Sequence, residues 1–276
     1  MLEPQIRDEH RKCIFCRELY HFRALTEEHI IPRSLGGKST IKYATCESCR
    51  RAIDSCENNC EKHWFGLVRP HMKIPGRKQL RSRSKTHGAI YLPTSRGPRQ
   101  RNIPLEDHPA LLMQAKFTGP GMMKGKPASI EPEGATMSLW SLVRDYGRRL
   151  ESFPGETVIN RAHAAFYGRG QKLRCSDYAR LIAKIAHCYA IANSPADSFS
   201  TCLNNFILGR EAVFTPNYYI GSYNNGPIIQ SRNPKKHGLV FCDTVIGGTK
   251  FHFVVVRLFA AFNGIAHQIV VGTSKP

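Results

Sequence analysis

The sequence lacks any stretch approaching the roughly 18 apolar residues that a membrane-crossing helix needs, and its opening residues, MLEPQIRDEH, carry no apolar core of an export signal. These absences predict a protein with no membrane contact, without a standard secretion signal, and therefore cytoplasmic. No internal repeat or low-complexity tract is present either, which argues against a solenoid. Acid is scarce. Only 21 Asp and Glu stand against 40 Lys and Arg, for a net charge of +19. A surface that positive attracts a polyanion and loses affinity as salt rises, so nucleic acid is the leading partner. Such charge also serves solubility alone, and does not decide the matter unaided. The shortage is sharpest over residues 62–105, which hold eleven Lys or Arg, three His and no acidic residue, interrupted by Pro70, Pro75, Pro93, Pro98 and Pro104. Cations there find no local carboxylate and are available to phosphates; the competing reading is a flexible linker.

What is present fits a globular chain. With 276 residues and 41% apolar content there is enough material for one large or two small domains, while 17 Pro and 22 Gly imply long connections. Ten cysteines would suit a disulfide framework in a small secreted domain, but six of them, Cys13, Cys16, Cys46, Cys49, Cys56 and Cys60, crowd into the first 60 residues at short spacings. Metal binding in a reducing compartment explains that clustering better. The other four, Cys175, Cys188, Cys202 and Cys242, sit in apolar surroundings and read as small core residues.

Cys13-x-x-Cys16 and Cys46-x-x-Cys49 are two knuckles about thirty residues apart. Four thiolates at that spacing can close a tetrahedral structural zinc site, and a module this small needs the metal's binding free energy to fold. Cys56 and Cys60, four apart on a helix face, are the alternative ligands for one pair or for a second metal. Between the knuckles lies Thr26-Glu27-Glu28-His29-Ile30-Ile31-Pro32-Arg33-Ser34-Leu35-Gly36-Gly37. An isolated Glu-His pair is ordinarily a solvated dipeptide; bracketed by two knuckles it becomes a candidate site. Phosphodiester hydrolysis needs a nucleophile generated near neutral pH and a cation to offset phosphate charge. A histidine and an acid-bound Mg²⁺ or Mn²⁺ supply both.

On these residues the sequence resembles the HNH nuclease family over residues 13–65. The resemblance implies a ββα-metal module, a two-stranded ribbon and a helix gripping one divalent cation, with His29 as general base and Glu28 as a metal ligand. Neighbours on a strand point to opposite faces, so the ribbon must bend or twist for both to serve one phosphate. The chain departs from the family pattern at Arg50, where many members carry an Asn or His ligand. On a helix starting near Cys49, Asp54 and Glu57 lie one and two turns beyond Arg50, on its face. Glu57 is the chosen second ligand, which also matches an HNH subgroup with an acid eight residues after the final cysteine; Asp54, Asn58 and His63 are held in reserve. Arg50 or Arg51 can instead grip the scissile phosphate, and Arg33, Lys73, Arg77, Lys78, Arg81 and Arg83 are further candidate nucleic-acid contacts.

Farther along, leucines, Val143 and Tyr146 recur three and four apart over residues 135–150 and predict a helix, as does the apolar run 176–193, with Ser176 as its N-cap and His187 as a satisfied core histidine. Residues 239–247, 251–262 and 267–272 alternate or run in Val, Ile and Phe with turn signals at Gly247-Gly248 and Asn263-Gly264, and predict an antiparallel meander. Stretches 184–190 (KIAHCYA), 256–260 (VRLFA) and 270–272 (VVG) also resemble uncharacterised bacterial HNH proteins, which implies a shared design for the C-terminal half and no chemistry.

The expected fold is α+β: an HNH module with a four-cysteine zinc site at 1–68, a basic irregular arm at 69–105, and a mixed domain with helices and an antiparallel sheet at 106–276. The expected function is a DNA endonuclease with structural Zn²⁺ and catalytic Mg²⁺ or Mn²⁺. The rival readings are a non-catalytic zinc module that binds nucleic acid and an RNA nuclease. The oligomeric state is open, a homodimer included.

Overall fold

The computed structural model describes residues 9–66, 68–72, 74, 87–92, 95–96, 99–104, 111–126, 136–141, 174–195, 198–211, 215–223, 236–262 and 264–274. Strands β1 (His10–Lys12) and β2 (Leu19–His21) form an antiparallel ribbon whose connection carries the first knuckle. A second antiparallel ribbon, β3 (Thr26–His29) with β4 (Thr40–Thr45), leads into helix α1 (Glu47–Asn59). Gly36 and Gly37 make the turn between β3 and β4. Gly36 adopts a left-handed φ of 92°, and a Cβ on Gly37 would collide with the Ile31 carbonyl oxygen. Along α1, Cys49, Ile53 and Cys56 are buried at spacings of four and three, which marks the face turned to the core. The helix then widens into a π-turn, Cys60–Trp64, which Phe65 N–H closes on the Cys60 carbonyl at 3.0 Å. That turn delivers Trp64 and Phe65 to Tyr178, with ring centroids 4.6 and 6.3 Å away.

Two further ribbons follow: β5 (His87–Leu92) with β6 (Arg99–Pro104), and β7 (Leu111–Lys116) with β8 (Thr136–Ser141). The long helix α2 (Cys175–Asn193) precedes β9 (Phe199–Thr201) and β10 (Ile220–Tyr223). Strands β11 (Gly238–Ile246), β12 (Thr249–Arg257) and β13 (Ala266–Ser274) complete an antiparallel sheet in the order β10-β13-β12-β11, with β9 also paired to β13. The expected meander is there. Gly247 and Gly248 make its tight β11–β12 turn at φ of 57° and 79°, which glycine adopts without strain. Both faces of β12 are covered: Val254 and Val256 join the main core, while Phe253 and Val255 pack with Ala266 on the other side. A strand buried on both faces reads as an unbroken apolar run.

Helix α2 sits between α1 and this sheet and is buried around most of its circumference. One continuous core runs from Cys13 and Phe15 through Trp64, Tyr178 and Ile182 to Val254 and Val271.

Three local expectations change. Residues 136–141, expected to be helical, form β8, because pairing with β7 satisfies their backbone and outweighs a weak local helical pattern; 142–150 lie outside the described residues. The N-cap of α2 is Arg174, with no side-chain cap, since Ser176 already lies inside the first turn. The basic arm contains the β5–β6 ribbon, so it is not irregular throughout.

Two histidines are sealed in this core. His187 Nε2–H donates to the Ile14 carbonyl at 2.9 Å and His267 Nε2–H to the Ala115 carbonyl at 2.8 Å. Burial pulls the pKa of each down from 6.5 to about 4. Protonating His267 would place a new donor on Nδ1, which has no partner among the described residues. A histidine with a depressed folded pKa contributes stability that is complete above 6.5 and lost as pH falls toward 4. Urea unfolding should therefore show wild type losing on the order of 3 kcal/mol through His267 alone over that window, and His267→Gln, though weaker at pH 7, should show a flatter profile. Parallel profiles would refute this.

Candidate active site

The Sγ atoms of Cys13, Cys16, Cys46 and Cys49 all lie within 4.8 Å of one another. Those of Cys16 and Cys46 are 3.8 Å apart, which matches the edge, about 3.8 Å, of a tetrahedron with metal–sulfur bonds of about 2.3 Å. The first knuckle is shaped by Arg17, whose φ of 65° lets its N–H reach the Cys13 carbonyl at 2.9 Å. It is docked on the second by Ile14 N–H on the Ala44 carbonyl, 2.9 Å, and by Cys46 N–H on Cys13 Sγ, 3.4 Å. Burial pushes the Cys46 thiol up, but the Ser48 hydroxyl and the Cys49 backbone outweigh it and bring the thiol down to about 6. Burial and the neighbouring thiolates push Cys49 up instead. A dication relieves that crowding, and these residues fit a structural zinc. Cys56 and Cys60 stand apart: Cys56 Sγ donates to the Asp177 carbonyl at 3.2 Å, and both thiols are buried against α2.

Glu28 and His29 end β3. The register slips here, the step from Thr26 to Glu28 on β3 being matched by that from Thr45 to Ile41 on β4, where Tyr43 has a φ of 54°. Such an irregularity re-aims side chains. Glu28 is turned inward and buried, its Oε2 accepting from the Thr45 hydroxyl at 3.0 Å, while His29 is half-buried. Glu57, two turns beyond Arg50 on α1, converges on Glu28 as the helical spacing requires.

The two carboxylates meet on a residue that the motif did not contain. Lys184, from the middle of α2 and 1% exposed, places Nζ 2.6 Å from Glu28 Oε1 and 2.9 Å from Glu57 Oε1, and donates to the His29 carbonyl as well. Burial pulls the lysine pKa down, but Glu57 and Glu28 overcome it and hold the amine charged. Burial and the nearby Glu28 and Asp54 carboxylates raise the pKa of Glu57 despite the lysine. One signal in the sequence points to Lys184: it interrupts the apolar stretch 181–186 of a helix that reads as buried, and a buried lysine calls for an acidic partner. The partner was invisible because it lies far away in the chain.

Arg50 is bound by its own helix. Its Nε and Nη2 contact Glu47 at 2.8 and 2.9 Å and its Nη1 contacts Asp54 at 2.7 Å; Arg51 adds a 2.8 Å contact to Glu47. The two guanidinium groups hold the Glu47 carboxyl down at about 2. Gripping a phosphate with Arg50 therefore means exchanging one anion for another. Arg33 and Asn58 are exposed and His63 is half-buried. Lys73, Arg77, Lys78, Arg81 and Arg83 lie outside the described residues.

The two knuckles, the β3–β4 ribbon and α1 thus form one continuous segment. Residues 13–65 match the family model for HNH endonuclease. The match takes in all four zinc-type cysteines, Glu28, His29 and Glu57. No curated protein and no solved structure gives a match. At the level of the family, the HNH segment supports nuclease activity, a phosphodiester hydrolysis with nucleic acid as the substrate class. HNH nucleases generally use a divalent metal, but Glu28 and Glu57 with an ammonium between them do not fit one. Among the described residues, the four-cysteine group is the sole metal-competent cluster, and no helix is long and apolar enough to cross a membrane.

The zinc assignment separates the two cysteine sets. Metal analysis should find one zinc per chain in wild type and in Cys56→Ala. Cys46→Ala should lose the zinc and on the order of 3 kcal/mol or more of stability. Zinc loss on changing Cys56, or retention on changing Cys46, would refute the site.

Proposed function

We propose that the HNH segment is an endonuclease acting on DNA, with His29 as its general base. One observation carries this reading: the matched segment holds Glu28-His29 on a ribbon set between two zinc knuckles. In the proposed reaction His29 takes a proton from water as the water oxygen bonds to phosphorus. The bond from phosphorus to the leaving sugar oxygen breaks, and that oxygen is protonated from solvent. Arg33, Arg50 and Arg51 are the candidate cations for holding the phosphate, Arg50 on release from Glu47 and Asp54. The stretch 69–105 adds backbone contacts, and residues 106–276 supply α2 and the sheet that brace the module at 1–68. Glu28 and Glu57 are the carboxylates that would hold a catalytic Mg²⁺ or Mn²⁺; in this chain they are engaged by Lys184.

That engagement, with Arg50 in place of a ligand, favours a second reading: a zinc module that binds nucleic acid without cutting it. An RNA substrate is a variant of the first reading, since single-site phosphodiester chemistry does not by itself distinguish the sugars.

Supercoiled plasmid and single-stranded RNA, incubated with wild type and His29→Ala in Mg²⁺ or Mn²⁺, test these readings. The proposal expects DNA nicking by wild type and a fall of about 100-fold or more in the variant, with zinc content unchanged. Equal cleavage by the two proteins would remove His29 from the chemistry. Faster cleavage of RNA would reassign the substrate.

A further inference from the structure

Lys184 is held where it is by α2 on both sides. Asp177 Oδ2 accepts from Asn59 Nδ2 at 3.2 Å and the Asp177 carbonyl from Cys56, while Arg180 donates to the Ala52 carbonyl at 3.2 Å and to Ile207 at 2.8 Å. One turn beyond, His187 is pinned to Ile14 of the first knuckle. α2 is thus fastened to α1 and to the zinc knuckle, and Lys184 has no freedom to be a surface side chain that folded inward. Its ammonium is paired at 2.6 and 2.9 Å with the carboxylates of Glu28 and Glu57 and donates to the backbone carbonyl of His29. A buried ammonium flanked by two carboxylates is a built part of the core.

Two carboxylates converging on one buried point are the ordinary protein half of a hard-cation site. Here the point is filled by a side chain that brings a single charge, and a dication cannot share it with an ammonium at contact distance. We propose that Lys184 is the built-in cation of the Glu28–Glu57 pair, occupying the place a divalent ion would take, so that the pair binds such an ion only when the ammonium is removed or drawn back. Its consequence for cleavage rests on the nuclease reading; the binding claim does not.

The test uses the full chain with its zinc content verified, and Mn²⁺ as the probe. Lys184→Met removes the charge and keeps the length of the side chain. Wild type should show no Mn²⁺ uptake at this pair and no change in Tm with Mn²⁺. Lys184→Met should be destabilised without Mn²⁺, take up one Mn²⁺ per chain at least roughly tenfold more tightly than wild type, and recover Tm on binding. Adding Glu57→Gln should abolish that uptake. Should the methionine variant not fold, Lys184→Gln, whose amide can still donate to the carboxylates, carries the same expectation. Equal Mn²⁺ affinity in wild type and variant, or uptake indifferent to Glu57→Gln, would overturn the proposal. Mn²⁺ rescue of Tm without any cleavage of DNA or RNA by the rescued protein would sink the nuclease reading while leaving the built-in cation standing.

Discussion

A charge taken out of water must be met by opposite charge and by hydrogen bonds, and the Lys184 ammonium imposes that requirement on the whole molecule. It is buried in the middle of α2, and its acceptors come from β3 and α1, more than a hundred residues earlier. Removing one partner from such a pair typically costs about 3–5 kcal/mol, because the remaining charge stays buried. The pairing therefore specifies which face of α2 turns to the module and where along the helix it docks. The Asp177, Arg180 and His187 contacts agree with that register at turns on either side.

The cysteine knuckles act on a different scale. They tie the start of the module to the start of α1, so Glu28 on the ribbon and Glu57 on the helix are presented from elements whose ends are fixed together. The π-turn after α1 then sends Trp64 and Phe65 into the shared core. The local four-cysteine cluster and a distant helix thus position the same two carboxylates. The candidate centre is accordingly a joint product of the HNH segment and the C-terminal half, which the family match does not reach.

Much of this was legible in sequence because it depends on short-range spacing. The paired CxxC motifs bring four sulfurs together, Gly36-Gly37 turns the ribbon, and the β-branched runs with Gly247-Gly248 make the antiparallel strands. Glu57 lands beside Glu28 for the same reason, helical periodicity. What was not legible depends on partners remote in the chain. Residues 136–141 carry a helical pattern that pairing with β7 overrides. Lys184 stood in plain view within an apolar helix, but its acceptors cannot be named from a string. Arg50 departs from the family pattern, and its capture by Glu47 and Asp54 follows from i, i+3 and i, i+4 geometry that the sequence contains.

The side-chain NMR signal of Lys184, in protein carrying ¹⁵N-labelled lysine and assigned by its loss in Lys184→Met, reports directly on whether the ammonium is buried between the two carboxylates. A buried, paired ammonium should have protons that exchange slowly with water and show through-space contacts to the Glu28 and Glu57 side chains. A fast-exchanging signal with the position and mobility of a solvent-exposed lysine would contradict it.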